Sequence, residues 1–396
     1  MIDRQEVMDF AREFGLAAHV IEKDYALGWL LAGIAAHPEI GQSWIFKGGT
    51  CLKKCYFETY RFSEDLDFTL TYPEHLNEAF LLETFSQIAE WIYDKSGIEI
   101  PGDALRFEIY ENLRGKNSVQ GRLGYRGPMQ RRGDAPRIKL DLTDDEILVL
   151  EPVVREVHHP YSDRPIDGIN VLSYGFEEVF AEKIRALAER QRPRDLYDVV
   201  HLYRREGLHP DRILIMSTLA AKCEFKGIDL PTIEGLSTRP EREDIEADWE
   251  HMLAHQLPVL PPFDQFWSEL AEVFDWLHER KEKVELASAP AYSVGAIDNA
   301  WSPPPMAQAW HIQAPLEVVR FAAANRLCVS LEYQNKTRLI EPYSLRKTQE
   351  GNILLHAVRH EDGQPRSYRV EKIQSVTASN VSFRPRYLIE LTKSGP

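Results

Sequence analysis

Two carboxylates, Asp65 and Asp67, alternate with apolar residues in the segment 63–68. Alternate residues of a β-strand point to the same side, so these carboxylates share a face with Ser63, while the residues between them point into a core. Carboxylate oxygens held side by side suit Mg²⁺, the cation that accompanies nucleoside triphosphates. The segment therefore predicts a strand over Ser63–Leu70 that carries a metal site.

A glycine pair, Gly48-Gly49, precedes these carboxylates, between a predicted strand over 44–47 and a short helix that ends near Tyr56. Glycine has no side chain, so a turn built from it can approach the phosphates of a nucleotide closely. A glycine pair after a strand is more often an ordinary turn. Its position ahead of two spaced carboxylates favours a phosphate-binding turn.

A third carboxylate, Asp141, lies on the polar side of a predicted strand over Arg137–Thr143, whose other side is apolar. Nucleotidyl transfer commonly uses a third carboxylate to hold a second metal ion and to activate the attacking hydroxyl. If this strand neighbours the strand of Asp65 and Asp67, the three carboxylates converge. The order of glycine turn, paired carboxylates and single carboxylate favours a nucleotide–metal site over three unrelated features.

Two predicted helices after residue 175 supply cations and further carboxylates. Lys183 lies among apolar residues, where a buried ammonium requires an anionic partner. Lys183 or Arg194 could neutralise the β- and γ-phosphates of a nucleotide. Asp195 and Asp198 share a helix face, and two interpretations stay open: they complete the catalytic site, or they cap the helix and pair with arginines.

These motifs resemble the AbiEii/AbiGii toxin family, which belongs to the DNA polymerase beta-like nucleotidyltransferase superfamily. The resemblance covers roughly residues 1–285 and rests on the segments 22–25, 47–53, 61–68, 182–183 and 194–198. It implies a toxin of a type IV toxin–antitoxin or abortive-infection system. Some members, the MenT-type toxins, use an NTP and Mg²⁺ to add nucleotides to tRNA 3′ ends, which blocks translation.

The resemblance also implies roles for residues at the positions that match its motifs. Asp65 and Asp67 would be metal ligands, and Asp141 is added as the third ligand from its strand position. The nucleotide would be contacted by Gly48, Gly49, Thr50, Lys53, Ser63, Lys183, Arg194 and Asp198. The catalytic group would comprise Asp65, Asp67, Asp141, Lys183 and Asp195, with Mg²⁺, or Mn²⁺ in its place, as cofactor and an NTP as substrate.

The chain has 396 residues, four cysteines and a formal net charge of −15. The cysteines form no disulfide framework and have no paired Cys/His partners, so packing explains them better than zinc. No apolar run reaches the roughly 18–20 residues of a membrane helix, and the charged first residues lack a signal-peptide core. These features predict a cytoplasmic protein without a membrane segment.

The charge is unevenly distributed along the chain. Nine basic residues stand against three acidic ones between residues 106 and 139; the basic ones are Arg106, Arg114, Lys116, Arg122, Arg126, Arg131, Arg132, Arg137 and Lys139. Such a strip on an acidic chain could receive a polyanion at one place. Alternatively, it is a solvated hairpin whose charges keep an edge strand soluble. Both interpretations stay open at this point.

The predicted fold class is α+β, with a polymerase-beta-like nucleotidyltransferase domain over residues 1–285. This domain would contain a mixed sheet to about residue 175 and a helical half over 176–285. A linker rich in Ala, Ser and Pro follows over 286–311. The remaining residues, 312–396, contain short strand-like runs, the last over Tyr387–Leu391, which predict a small β-barrel or sandwich.

The C-terminal segment resembles a WYL domain over residues 327–373, although Ile353-Leu354-Leu355 occupies the region of the name-giving triplet. The resemblance implies an Sm/SH3-like barrel that senses a ligand, in some members a nucleic acid. Thirteen basic and eight acidic residues follow residue 311, which favours nucleic-acid contact. The candidate contacts are Tyr333, Arg338, His356, Arg366 and Arg369. The alternative is that the two aromatic rings pack the barrel and the arginines are solvated.

The sequence thus predicts an Mg²⁺-dependent NTP:RNA nucleotidyltransferase that acts as a toxin, with tRNA as the expected acceptor and a winged-helix protein as the expected antitoxin. Two alternatives remain. One is a kinase-like toxin that transfers the γ-phosphate, and the other is a noncatalytic regulator that senses a nucleotide or oligonucleotide through the C-terminal barrel. A conventional DNA-binding regulator is disfavoured, because no helix-turn-helix with a basic recognition helix is evident.

Overall fold

The computed structural model describes residues 1–112, 114–130, 133, 135–204, 209–237, 241–290, 296–303 and 315–392. Arg131 and Arg132 of the basic strip, and residues 291–295 and 304–311 of the predicted linker, lie outside these ranges. Two compact units are present. The first comprises Met1–Ala11, Ala17–Arg190 and His209–Pro231, and the second comprises Arg12–Leu16, Gln191–Leu208 and Thr232–Pro396.

Among the described residues, two helices open the chain, short strands and helices follow, and five successive strands then precede a run of helices. The helices are α1 (Arg4–Phe14), α2 (Ala18–Ala36), α3 (Gly48–Cys51), α4 (Glu78–Ser96), α5 (Phe176–Arg190), α6 (Pro193–Arg204), α7 (Arg212–Lys226), α8 (Ile233–Ser237), α9 (Glu241–Leu253), α10 (Phe263–Leu277) and α11 (Leu316–Ala324). The strands are β1 (Trp44–Lys47), β2 (Asp65–Leu70), β3 (Leu105–Glu111), β4 (Asn117–Gly124), β5 (Arg137–Thr143), β6 (Val153–Glu156), β7 (Asn170–Ser173), β8 (Leu327–Tyr333), β9 (Lys336–Lys347), β10 (Ile353–Arg359), β11 (Pro365–Arg369) and β12 (Ile373–Ser382). The chain therefore has the predicted α+β class.

The first unit is built on a mixed seven-stranded sheet in the order β3-β4-β5-β2-β1-β7-β6. Its apolar face packs through aromatic side chains. The ring of Trp44 lies 5.7 Å from that of Phe68 and 6.0 Å from that of Phe85 on α4, and Phe85 lies 5.2 Å from Phe107. These contacts bury alternate residues of β1, β2 and β3, so the other residues of the same strands face away from this core.

Helix α4 begins and ends with residues that satisfy free backbone groups. The side chain of Asn77 accepts a hydrogen bond from the Phe80 amide at 3.1 Å, and Gly97 ends the helix in the left-handed conformation. Within the described residues, no helix combines the length and apolarity needed to cross a lipid bilayer.

The second unit joins helices to the C-terminal sheet through buried polar contacts. The ring of Tyr197 on α6 stacks on Phe266 of α10 at 5.2 Å, and its hydroxyl lies 3.0 Å from Asn325, which follows α11. The carboxylate of Glu269 accepts hydrogen bonds from Arg204 at 2.7 Å and from Arg326 at 2.8 Å. These contacts hold α6 and α10 against the start of the C-terminal sheet.

The expected C-terminal barrel is corrected to a curled, open sheet in the order β11-β10-β9-β8-β12, with no ladder between β11 and β12 in the described residues. A turn of only three residues, Val370–Lys372, joins these two edge strands. Four strand spacings of a flat sheet span roughly 19 Å, further than such a link can reach at about 3.5 Å per residue. The sheet must therefore curl, which a bulge after His356 assists. The rings of Tyr333 and Tyr368 meet across it at 5.3 Å.

Candidate active site

The carboxylates singled out in the sequence stand side by side on neighbouring strands. Strands β2 and β5 are parallel, and their register sets Asp67 opposite Asp141 and Asp65 opposite Lys139. The antiparallel pairing of β1 with β2 sets Lys47 opposite Asp67. Residues paired in a ladder point to the same face of the sheet. Strands β2 and β5 are therefore neighbours, as the predicted convergence of the three carboxylates required.

The glycine pair presses its backbone against this carboxylate group. Gly48 has a φ of +78°, and a Cβ placed on it would lie well under 3.0 Å from the carboxylate of Asp67. A Cβ on Gly49 would meet the guanidinium of Arg61 and lie 3.2 Å from the hydroxyl of Ser63. Gly48 thus requires glycine both for steric reasons and for its backbone conformation, whereas a side chain at position 49 would first have to displace the end of the Arg61 side chain.

Two residues after the glycines hold the turn in place. The hydroxyl of Thr50, which is buried, donates a hydrogen bond to the carbonyl of Asp65. The ammonium of Lys53 donates to the carbonyl of Glu58 and lies 4.8 Å from the ring centre of Phe62. Lys53 is also buried. Thr50 therefore ties the glycine turn to the start of β2, and Lys53 ties it to the segment that leads into that strand.

The charge state of Asp67 reflects its crowded surroundings. Burial, followed by the negative charge of Asp141, raises the pKa of Asp67 to about 6, although the cations Lys47 and Lys183 act in the opposite direction. Asp65 contributes further to the rise. Like charges in a poorly solvated place disfavour ionisation. An added cation would relieve the repulsion that Asp141 and Asp65 exert on Asp67.

Three lysines surround the carboxylates at this face. Lys139 donates a hydrogen bond to Asp141 at 2.8 Å. Burial lowers the pKa of Lys139, but this contact and the nearby carboxylates outweigh it, so the pKa is raised overall. Lys183 is buried on α5 and is one of the cations that act on Asp67. Lys47 lies 3.8 Å from Glu182 and 5.7 Å from the ring centre of Tyr174.

A buried ion network connects this face to α7. Glu182 lies 3.6 Å from Lys222, which also contacts Glu178 at 2.6 Å. Burial raises the pKa of Glu182, but Lys47, Lys222 and further cations outweigh it and lower the pKa to about 2. Glu182 is therefore ionised at neutral pH, and it holds Lys47 beside Asp67.

The remaining predicted nucleotide contacts lie on α6, in the second unit. Asp195 and Asp198 are both fully buried there. The guanidinium of Arg194 lies 3.5 Å from the carbonyl of Met252. The first unit thus brings together Asp65, Asp67, Asp141, Lys183, Gly48, Gly49, Thr50, Lys53 and Ser63, whereas Arg194, Asp195 and Asp198 belong to the second.

The candidates in the C-terminal sheet differ in exposure. His356 is buried beside Ser367 at 3.3 Å, and burial lowers its pKa to about 4, so this residue packs as a neutral ring. Arg338 donates to the carbonyl of Tyr333 at 2.7 Å. The hydroxyl of Tyr368 is buried without a hydrogen-bond partner among the described residues, and the charges of Arg338, Arg359 and Arg366 act on it. Arg369 lies 4.0 Å from Glu371.

Sequence reasoning omitted Lys47, Lys139 and Glu182 from the site. The signal for Lys139 was present, because it lies two residues before Asp141 and shares its face. Lys47 stands directly before the glycine pair, at the end of a predicted strand. Glu182 stands in the matching segment 182–183, but its role depends on Lys47 and Lys222, which are distant in sequence, so the segment alone does not indicate it.

The donor set fits a hard divalent cation completed by a substrate. Carboxylate oxygens are the ligands that Mg²⁺ prefers, and it usually takes one or two of them together with water and substrate phosphates. Among the described residues, no three carboxylate, imidazole or thiol groups stand close enough to enclose a metal ion by themselves. The repulsion between Asp67 and its neighbouring carboxylates and their shared position on the polar sheet face therefore suit a metal that arrives with a nucleotide.

Comparisons with known proteins agree with this geometry. Residues 29–279 match the family profile described as "Nucleotidyl transferase AbiEii toxin, Type IV TA system", and residues 315–378 match the WYL domain. None of the curated proteins matches the chain. Among solved structures, the MenT4 nucleotidyltransferase toxin of Mycobacterium tuberculosis H37Rv is 21% identical, with a TM-score of 0.48 over 71% of this chain and 91% of that one. Because the first profile spans more than half of its length, the chain belongs to the AbiEii family of nucleotidyltransferase toxins.

Proposed function

We propose that the protein transfers a nucleoside monophosphate from an NTP to the 3′ end of an RNA, with tRNA as the acceptor, in an Mg²⁺-dependent reaction. The observation that carries the proposal is the register of β2 and β5, which sets Asp67 and Asp141 side by side next to the Gly48 turn. Carboxylates in this position beside a close backbone turn suit a metal-bound triphosphate.

The nucleotide lies between the glycine turn and the lysines. Gly48, Gly49 and Ser63 border the triphosphate, while Thr50 and Lys53 keep the turn in shape. Lys183 neutralises phosphate oxygens, a contact between charged groups that is stronger than a neutral hydrogen bond. The nucleotide contacts expected of Arg194 and Asp198 and the catalytic role expected of Asp195 stay predictions, because these residues lie on α6 in the second unit.

The reaction is an in-line displacement at the α-phosphorus. The 3′-hydroxyl oxygen of the RNA forms a bond to this phosphorus, and the bond from phosphorus to the bridging oxygen of the β-phosphate breaks, so pyrophosphate leaves with the electron pair. The hydroxyl proton passes to the carboxylate of Asp141. A bound Mg²⁺, or Mn²⁺ in its place, would be held by carboxylates drawn from Asp65, Asp67 and Asp141 together with oxygens of the NTP, and would neutralise the charge that develops on the phosphates.

The biological setting follows from the family. We infer a toxin of a type IV toxin–antitoxin or abortive-infection system that acts in the cytoplasm, where it blocks translation and is countered by a winged-helix antitoxin. The C-terminal sheet would bind a nucleic acid or another anion. The hydroxyl of Tyr368, which is buried without a hydrogen-bond partner among the described residues, and the three arginines that act on it support that binding. Weaker oligonucleotide binding in an Arg338→Gln variant, with NTP binding unchanged, is the expected result.

Position-specific labels separate nucleotidyl transfer from its alternative. Purified protein is incubated with bulk tRNA, Mg²⁺ and each of the four NTPs, labelled at either the α- or the γ-phosphate. Label on RNA from an α-labelled NTP alone is expected. Label on any acceptor from a γ-labelled NTP would instead establish the kinase-like reaction. Binding of NTP without transfer of either label would favour the noncatalytic sensor.

A further inference from the structure

The polar sheet face continues outward from the carboxylates as a row of basic side chains. Asp65 pairs with Lys139, Lys139 pairs with Arg122, and Arg122 pairs with Arg106 in the successive ladders of β2, β5, β4 and β3. Paired residues of a ladder share a face. At about 4.8 Å per strand, Lys139, Arg122 and Arg106 extend from Asp65 to roughly 14 Å away. We call these three residues the basic row.

The basic row is open to solvent at its outer end. The side chain of Arg122 is 45% exposed, and Arg106 is exposed as well. Helix α4 packs on the opposite face of the sheet, where Phe85 contacts Phe107. The core therefore lies behind the basic row and does not cover it.

The contacts that Arg122 and Arg106 make within the protein are weak enough to exchange. Arg122 contacts Glu108 at 3.2 Å and Gln120 at 2.8 Å, and Arg106 donates to the carbonyl of Leu105 at 2.7 Å. Glu108 is itself 63% exposed. Exposed ion pairs of this kind contribute only about 0–1 kcal/mol to stability. A phosphate that reached Arg122 could replace Glu108 at little cost.

We propose that the basic row binds the sugar–phosphate backbone of the acceptor RNA directly behind its 3′ end. This inference rests on the proposed function and adds the surface that presents the acceptor. A stacked strand rises about 3.4 Å per nucleotide, so roughly 14 Å accommodates the last three or four nucleotides. The guanidinium groups match phosphate in shape and charge. The terminal hydroxyl then lies over Asp65 and Asp67.

Apart from the C-terminal sheet, the acidic character of the chain favours this approach. The formal net charge of −15 repels a polyanion from most of the protein, so an RNA should bind at a local basic face. Tyr110, which is 47% exposed, lies four residues after Arg106 on β3 and therefore on the same face of the sheet. A tyrosine ring beside a phosphate path provides a surface on which a base can stack.

Three single-charge variants of the full-length protein test the proposal. Arg122→Gln removes one member of the basic row. Arg126→Gln is the matched control, because Arg126 lies in the same basic segment and is 67% exposed but pairs with Glu99 at 3.0 Å outside the row. Glu108→Gln removes the acidic partner of Arg122. The measurements are the Kd for bulk tRNA over a range of salt, the KM for tRNA, and NTP binding.

The proposal predicts that Arg122→Gln and Glu108→Gln change the affinity for tRNA in opposite directions. Arg122→Gln should weaken tRNA binding roughly fivefold to tenfold and reduce the salt slope by about one. It should raise the KM for tRNA while leaving NTP binding unchanged. Glu108→Gln should tighten tRNA binding about threefold, and Arg126→Gln should change it less than twofold. The gain expected of Glu108→Gln cannot arise from misfolding.

The possible failures are distinct. Equal losses for Arg122→Gln and Arg126→Gln would mean that only overall charge attracts the RNA, which overturns the basic row as its binding surface. If the wild type adds nucleotides to tRNA and neither Arg122→Gln nor Glu108→Gln changes the Kd or KM, the proposed function stands and this inference is wrong. If the wild type transfers no nucleotide to RNA, the proposed function is wrong and this inference fails with it.

Discussion

Asp67 and Asp141 lie directly opposite each other on neighbouring parallel strands, on the polar face of the central sheet. Burial, and then the repulsion between their negative charges, raises the pKa of Asp67 to about 6. An arrangement that is unfavourable without a cation is what a metal-dependent site requires. The same arrangement makes the unliganded protein less stable than it could be, and this has measurable consequences.

Asp67→Asn should stabilise the metal-free protein at pH 8. The pKa of Asp67 is raised above its usual value of 3.8, so its contribution to stability is lost as the pH rises from about 4 to about 6. A neutral amide avoids this loss, and we expect a gain of about 1–3 kcal/mol. Thermal unfolding without divalent cations measures it, and an unchanged or lower melting temperature would contradict the account.

Asp24→Asn, the same substitution at another buried carboxylate, should act in the opposite direction. Burial raises the pKa of Asp24, but Lys54, 2.7 Å away, and other partners lower it overall. Removing one member of a buried ion pair costs roughly 3–5 kcal/mol, because the other charge is left without its partner. A lower melting temperature for Asp24→Asn beside a higher one for Asp67→Asn would separate the two environments.

Cation binding should weaken as the pH falls through about 6. A metal held by Asp67 competes with the proton on that carboxylate, whose pKa is about 6. If one proton is displaced, the apparent affinity for Mn²⁺ in the presence of an NTP should fall about tenfold per pH unit below that value. Titrations between pH 5 and 8 measure this. An affinity independent of pH over that range would exclude Asp67 as a ligand.

Gly48→Ala should destabilise the protein and abolish nucleotide transfer. A Cβ at this position meets the carboxylate of Asp67, and the φ of +78° adds strain of roughly 1 kcal/mol or more. Gly102→Ala is the matched control, since nothing lies within 4 Å of the Cβ it would add and its φ is not left-handed. Transfer assays and thermal unfolding should therefore distinguish the two alanines. If both alanine variants had the same transfer activity and the same melting temperature, the steric argument would be wrong.

Lys183→Met should impair the reaction with an NTP more than it impairs folding. Lys183 is buried and acts electrostatically on Asp67, and a charge-assisted contact to phosphate contributes about 1.5–3 kcal/mol. The kcat/KM for the NTP should fall roughly tenfold to a hundredfold, with partial recovery in Lys183→Arg. Steady-state kinetics at fixed tRNA measure the loss. A variant with the kinetics of the wild type would show that Lys183 only fills space.

Much of this arrangement could be predicted because it follows local patterns. The period-two alternation of residues 63–70 and 137–143 indicated two strands with carboxylates on one face, and the structure has strands at Asp65–Leu70 and Arg137–Thr143. The glycine pair indicated a tight turn. Adjacency of β2 and β5 could only be supposed, because register between distant strands is set by tertiary packing rather than by either segment.

The errors of prediction also arise where tertiary packing, and not the local sequence, decides the structure. The final strand expected over Tyr387–Leu391 is a loop that ends in the turn Glu390–Thr392, and β12 (Ile373–Ser382) takes the fifth place in the sheet instead. Edge strand β6 (Val153–Glu156) was not predicted, because it is short and largely exposed. Lys47 and Glu182 were omitted because their partners lie on other elements.

The central claim is that Asp67 and Asp141 form the reaction centre, and transfer of α-labelled NTP to bulk tRNA in a single turnover tests it most directly. Wild type, Asp67→Asn and Asp141→Asn are compared with Asp94→Asn, a control at an exposed position on α4. We predict that Asp67→Asn and Asp141→Asn each lower the rate at least about 10³-fold, with Asp94→Asn at the wild-type rate. A folded Asp67→Asn or Asp141→Asn variant that transfers label within threefold of the wild-type rate would contradict the account.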